Sequence, residues 1–221
     1  MAAQPNVDKL VRQTFQYEFS DGLRDLQLAV LLGIGGVTVW LALDPLWITF
    51  IATLMQVLGR WAAWLSMLLV LVAPLAALGS LGLMNILRRR WLWRESGMIK
   101  SRWSVSRRVS VLSALIFVGG VALAFYARSL GWADDLFVLR MLWAATGWSF
   151  GYTLIGVGHD IGLSRYIWLG CVGGLISTAL LFLPLAFGQT ALALGLGWGL
   201  LLAASGLITL RRVILSVRPS R

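Results

Sequence analysis

The sequence predicts an all-α, polytopic membrane protein with six transmembrane helices and both termini in the cytoplasm. Of its 221 residues, 59% are hydrophobic and 13% are charged, whereas soluble domains are about 45–50% apolar and about 25% charged. The apolar stretches divide into six segments of about 20 residues, the length that crosses a bilayer. With these segments as spans, sixteen of the nineteen Lys and Arg residues fall on one side, which the positive-inside rule assigns to the cytoplasm. The sequence therefore predicts a multi-pass protein of the bacterial inner membrane.

Residues 1–25 are expected to form a cytoplasmic interfacial segment, followed by the transmembrane domain at 26–210. Over residues 7–24 apolar side chains recur at helical spacing, which predicts an amphipathic helix on the membrane surface. Acidic residues interrupt this segment, so we expect no cleavable signal peptide. The transmembrane spans are expected at 26–43, 62–87, 109–127, 136–157, 166–187 and 190–210.

The stretch between the first two spans has two interpretations. Asp44-Pro45 ends the first span, and a polar stripe of Thr49, Thr53, Gln56 and Arg60 then follows helical spacing. This pattern favours an outer-leaflet amphipathic helix at 46–60 before the second span. If residues 46–70 were instead the second span, Arg60 would lie near the membrane midplane.

The cytoplasmic loop 88–108 is the largest hydrophilic segment and carries eight basic residues against one acid, Glu95. The basic residues are Arg88, Arg89, Arg90, Arg94, Lys100, Arg102, Arg107 and Arg108. We expect this loop, with the basic tail 211–221, to contact anionic phospholipids. It is also the expected docking surface for a protein partner or a second copy of the chain. Because the net charge of +10 follows the topology, no nucleic-acid partner is expected.

Acid–base chemistry has one candidate pair, His159 and Asp160, at the cytoplasmic end of the fourth span. Adjacent residues on a helix point in different directions, and no Ser or Cys nucleophile lies nearby in sequence. A structural role at the helix end is therefore favoured. One histidine and one cysteine, Cys171, cannot form a closed zinc site. Neither a metal nor a cofactor is expected.

Three polar residues are candidates for a role within the membrane: Gln56, Arg60 and Arg140. A charge inside a span is costly and is often functional. Arg140 lies about one turn from the outer boundary, so snorkelling to headgroups, or pairing with Asp44, Asp134 or Asp135, explains it structurally.

Two further patterns concern the helices. Glycines four residues apart (Gly147 and Gly151, Gly170 and Gly174, Gly195 and Gly199) indicate tight helix packing within the bundle. Each odd-numbered span is preceded by an acid–glycine–apolar–basic element, which suggests an internal repeat. These elements begin at Asp21, Glu95 and Asp160.

The run Tyr17-Glu18-Phe19-Ser20-Asp21-Gly22-Leu23-Arg24-Asp25 resembles the opening of an uncharacterised family of small bacterial multispan inner-membrane proteins. The tail from Gly197 to Leu200, continuing through Ser205 to Arg211, is similar to the same family. This resemblance implies a bacterial inner-membrane protein and assigns no site.

The sequence thus predicts a non-enzymatic membrane protein, transporter-like or a membrane subunit of a larger complex, that docks partners through the 88–108 loop. Two alternatives stay open. The interfacial helix, six spans and large cytoplasmic loop are similar to a permease half of an ATP-driven exporter, although the link between spans five and six is short. A membrane enzyme acting on lipid headgroups through His159 and Asp160 is the other.

Overall fold

The structure, a computed structural model, describes residues 22–59 and 105–217 and eleven separate residues between 61 and 86. These residues contain six helices and no strand, which confirms the all-helical prediction. The helices are α1 (Leu23–Leu43), α2 (Pro45–Leu58), α3 (Arg107–Ser129), α4 (Asp135–Ile161), α5 (Ser164–Phe182) and α6 (Phe187–Val217). The eleven separate residues are also helical. Residues 7–21 of the predicted interfacial helix at 7–24 lie outside the described residues.

Four helices are long and apolar enough to cross a membrane: α1, α3, α5 and residues Phe187–Leu215 of α6. Helix α2 is apolar but shorter. Helix α4 has 27 residues, about 40 Å at 1.5 Å per residue, but hydroxyl and aromatic side chains such as Ser149, Tyr152 and Thr153 lower its hydropathy. This composition is that of a helical membrane protein.

The limits of α1, α3 and α6 differ from the predicted ones. Gly22 has a positive φ of 74° and α1 begins at Leu23, so Leu23 and Arg24 belong to the first apolar helix rather than to the predicted surface helix. Helix α6 continues to Val217, seven residues into the segment predicted as a tail. The predicted 88–108 loop ends at Ser106, whose hydroxyl caps α3 by accepting from Val109 N at 3.3 Å.

The connection between α5 and α6 also differs from the prediction. Helix α5 ends at Phe182, before Pro184, rather than continuing through it, because proline lacks the N–H that a helix interior needs. The predicted turn at Gly188 and Gln189 lies within the first turn of α6. The four residues 183–186 join the two helices.

The helices of the bundle form two groups, and within each group neighbouring helices run antiparallel. Helix α1 packs along α6, and α4 packs between α3 and α5. Smaller contacts of α6 with α5 and α4 join the groups, and we call this interface the seam. The seam has an Asp25 end, where α1, α3 and α5 begin, and an Arg140 end, where α4 and α6 begin.

Glycines bring the backbones of paired helices together. A Cβ on Gly36 of α1 would lie 2.9 Å from the carbonyl oxygen of Ala191 and 3.0 Å from Cα of Gly195, both on α6. A Cβ on Gly151 of α4 would lie 2.8 Å from the carbonyl oxygen of Gly170 on α5. One glycine of each of the three predicted pairs (Gly151, Gly170 and Gly195) therefore packs against a neighbouring helix inside the chain.

Trp198 of α6 joins the two groups at the middle of the seam. Its ring is almost fully buried and lies directly against Gly173 of α5. Its indole nitrogen donates to the Ser177 hydroxyl at 3.1 Å, and its ring meets Phe150 of α4 edge-on at 4.8 Å between centroids. Because any side chain at position 173 would occupy the space of the indole, glycine is required there.

Candidate functional site

The most concentrated polar chemistry in the described residues lies at the Asp25 end of the seam. Asp25, in the first turn of α1, has no exposed surface. Arg165 and Tyr166 from the first turn of α5 face it, Ser205 reaches it from α6, and Thr209 of α6 contacts Arg165. We call these five residues the Asp25 network.

Both carboxylate oxygens of Asp25 have partners from other helices. The Tyr166 hydroxyl donates to Oδ1, and the Ser205 hydroxyl donates to Oδ2 at 3.0 Å. The Arg165 guanidinium forms an ion pair with Oδ2 at 3.6 Å. Three helices therefore meet on one carboxylate, and the hydroxyl donors together with the guanidinium stabilise its charged form.

Arg165 links the remaining members of the network. Its Nη1 donates to the Thr209 hydroxyl at 2.5 Å and its Nη2 donates to the Tyr166 hydroxyl at 3.2 Å. The guanidinium carbon also lies 4.9 Å from the centre of the Tyr166 ring, within cation–π range. Arg165 is thus fixed at several points.

A close approach of α1 and α6 positions Asp25. A Cβ on Gly206 would lie 2.8 Å from the carbonyl oxygen of Gly22. Gly22 also has the left-handed backbone conformation that precedes α1, which glycine adopts at little cost. Asp25, one turn after Gly22, and Ser205, the residue before Gly206, therefore lie within hydrogen-bond distance of each other.

A second buried polar contact lies nearby on another face of α1. Gln27 is buried, and its Nε2 donates to the Ser80 hydroxyl at 3.1 Å. Its Oε1 has no hydrogen-bond partner among the described residues. The contact ties α1 to the helical residues near position 80.

Arg140 of α4 interacts with backbone rather than with an acid. Its Nη1 donates to the carbonyl oxygens of Leu181 and Leu183 at 3.2 and 2.9 Å, where α5 ends. The ion pair at this end is formed instead by Arg128 and Asp135, with 2.8 Å between Nε and Oδ1. Arg140 therefore supplies donors to carbonyls that helix α5 leaves without intrahelical partners.

We expect Arg140→Met to lower the free energy of unfolding by about 1–2 kcal/mol, because two carbonyls lose a charged donor in an apolar setting. The measurement is reversible unfolding in mild detergent or bicelles. Arg212→Met is the matched control, since Arg212 is exposed. Equal stability of the two variants would contradict the capping role.

The predicted acid–base pair lies on the surface. His159 and Asp160 are exposed in the last turn of α4, just before the Gly162 cap. In the described part of the chain no hydrogen bond or ion pair joins them. Among the described residues, no group of three or more His, Cys, Asp or Glu side chains is placed so that it could hold a metal ion.

The other predicted site residues are separated from the Asp25 network or lie outside the described residues. Gln56 is exposed on α2, and the hydroxyls of Thr49 and Thr53 bond to carbonyls of their own helix at 2.8 and 2.9 Å. Arg107 and Arg108 are exposed in the first turn of α3. The predicted residues outside the description are Arg60, Arg88, Arg89, Arg90, Arg94, Lys100 and Arg102.

Sequence reasoning missed the Asp25 network, although each part carried a signal. Asp25 closes the opening run, Ser205 and Thr209 lie in the tail that carries the resemblance, and Arg165 ends the third acid–glycine–basic element. The pattern that could have linked them is a charged residue in the first turn of each of two apolar helices, together with two hydroxyls four residues apart on a third apolar helix. Comparison with family models, curated proteins and solved structures found no match.

Proposed function

We propose that this chain is a multi-pass protein of the bacterial inner membrane, with six transmembrane helices and both termini in the cytoplasm. Four apolar helices of spanning length support it, and the proposal adds α4 and a span at 62–87. Six of the eight described arginines (Arg24, Arg107, Arg108, Arg165, Arg211 and Arg212) lie at the Asp25 end of the helices, against Arg128 and Arg140 at the other. By the positive-inside rule the Asp25 end is cytoplasmic.

A labelling experiment tests this topology in a Cys171→Ala background. In spheroplasts, a membrane-impermeant maleimide should label Ser129→Cys at the Arg140 end, whereas Ser101→Cys should react only after lysis. Labelling of Ser101→Cys in intact spheroplasts would overturn the orientation.

The proposed function is non-enzymatic: a transporter-like protein or a membrane subunit of a larger complex. The observation that carries it is the fully buried Asp25 carboxylate, which joins helices of both groups through one charged partner, Arg165, and two hydroxyl donors. Ionisable groups held inside membrane helices are costly, and they are found where a membrane protein moves a solute or changes conformation. The four-residue link 183–186 is too short for the re-entrant outer helices of an exporter permease half, which favours the subunit interpretation over that class.

The basic loop 88–108 is the proposed docking surface, with acidic proteins and anionic phospholipids as the expected partners. Replacing Arg88, Arg89, Arg90, Arg107 and Arg108 with Gln should release co-purifying proteins in mild detergent. A variant with Gln at Arg211 and Arg212 is the control, because it removes basic charge from the same side without changing the loop. If the loop variant retains every partner, docking through this loop is wrong.

A further inference from the structure

The seam between the two helix groups is held by three contacts of different chemistry. At the Arg140 end, the rings of Trp143 and Phe187 lie 5.3 Å apart. At the middle, Trp198 packs against Gly173. At the Asp25 end the contact is the charged network of Asp25, with hydroxyl and guanidinium donors from α5 and α6. This third contact differs from the other two because it consists mainly of charged and hydroxyl groups, which water solvates well.

A buried ion pair is an inefficient way to hold helices together. Removing two charges from the lipid–water boundary into the bundle costs several kcal/mol for each ion, and apolar residues of similar volume often stabilise such a position equally well. The contacts at the middle and at the Arg140 end consist mainly of apolar packing, with one neutral hydrogen bond from Trp198 to Ser177. The charged contact at one end therefore indicates a role beyond stabilising the packing of the two helix groups.

The two charged side chains of the network differ in exposure. The Arg165 side chain is 23% exposed, whereas the Asp25 side chain is 0% exposed. The guanidinium is therefore the charged group at which exchange of Thr209, Tyr166 and Asp25 for other hydrogen-bonding partners can begin. Release of Arg165 breaks the ion pair that joins α1 of one helix group to α5 of the other.

We propose that the Asp25 network is a latch that closes the seam at the Asp25 end, and that its release opens this end while the Trp198 contact holds the middle. The latch is a property of the seam and does not depend on partner docking through the 88–108 loop. Failure of the docking experiment leaves it standing, and failure of the latch leaves docking standing.

Two buried positions on α6 report on the two ends of the seam. Leu202 is fully buried near the Asp25 end, three residues before Ser205, and Ala191 is 2% exposed near the Arg140 end. Each is changed to Cys separately in the Cys171→Ala background, because Cys171 is itself exposed. A water-soluble maleimide is applied to inverted membrane vesicles, and the labelling rate is measured with Arg165 intact and with Arg165→Gln.

Release of the latch should raise the labelling rate of Leu202→Cys at least tenfold and leave Ala191→Cys unchanged. Arg165→Lys, which retains the positive charge, should keep the Leu202→Cys rate close to that of the parent. If Arg165→Gln does not accumulate in the membrane, Ser205→Ala removes one donor and should produce a smaller rise at the same reporter. An unchanged Leu202→Cys rate, or an equal rise at both reporters, would overturn the latch, since the second result is general loosening.

Discussion

Gly173→Ala is expected to destabilise the bundle by about 3 kcal/mol, a large effect for a single methyl group. The added Cβ would overlap three ring carbons of Trp198, which is buried and cannot move aside without leaving its place between α4 and α5. Forcing extra volume into a close-packed core costs about 1–3 kcal/mol, and displacing a buried tryptophan costs about 3–5 kcal/mol. The measurement is the free energy of unfolding in bicelles, with Trp fluorescence as the readout.

Gly174→Ala is the matched control for this experiment. It adds the same methyl group one residue later in the same helix, where no atom lies within 4 Å. Its stability should therefore equal that of the parent or exceed it slightly, because alanine favours a helix over glycine. If Gly173→Ala and Gly174→Ala have the same free energy of unfolding, the position of Trp198 against α5 is wrong.

The contrast between these neighbours shows what the sequence could predict about the fold. Apolar segments and breakers predicted where helices exist: α3, α4 and α5 each begin one or two residues before their predicted start. The glycine spacing at Gly170 and Gly174 predicted close packing of α5. It could not tell which glycine faces a neighbour, because that depends on the rotation of each helix in the bundle. The structure places Gly170 against α4 and leaves Gly174 open.

The candidate site was harder to predict for a related reason. Asp25 is hydrogen-bonded to residues 141 and 180 positions away in the chain, and periodicity carries no information about pairing over such separations. Asp25 also lies beside other acids in an amphipathic segment, so a surface helix explained it equally well. By contrast, Arg140 was found from sequence because a single charge inside an apolar span is conspicuous. Its partners are backbone carbonyls, which sequence patterns do not specify.

Asp25→Ala is expected to cost about 3–5 kcal/mol of stability, because it removes a buried carboxylate from the partly buried Arg165 guanidinium and removes the acceptor of two hydroxyls. Asp135→Ala is the comparison. It breaks an ion pair of shorter distance, 2.8 Å to Arg128, in which the two side chains are 51% and 72% exposed. Solvent screens that pair, so the loss should be at most about 1 kcal/mol. The loss of unfolding free energy in each variant is measured by equilibrium unfolding in bicelles.

A double variant separates the charge from the packing of this site. Combining Asp25→Ala with Arg165→Met removes both charges and keeps an apolar side chain of similar length on α5, so part of the stability lost in Asp25→Ala should return. A double variant as unstable as the sum of its single variants would mean that Asp25 and Arg165 act independently. An Asp25→Ala loss no larger than that of Asp135→Ala would show that the buried carboxylate does not hold α1 to α5 and α6. Burial rather than distance decides the expected order of the two ion pairs.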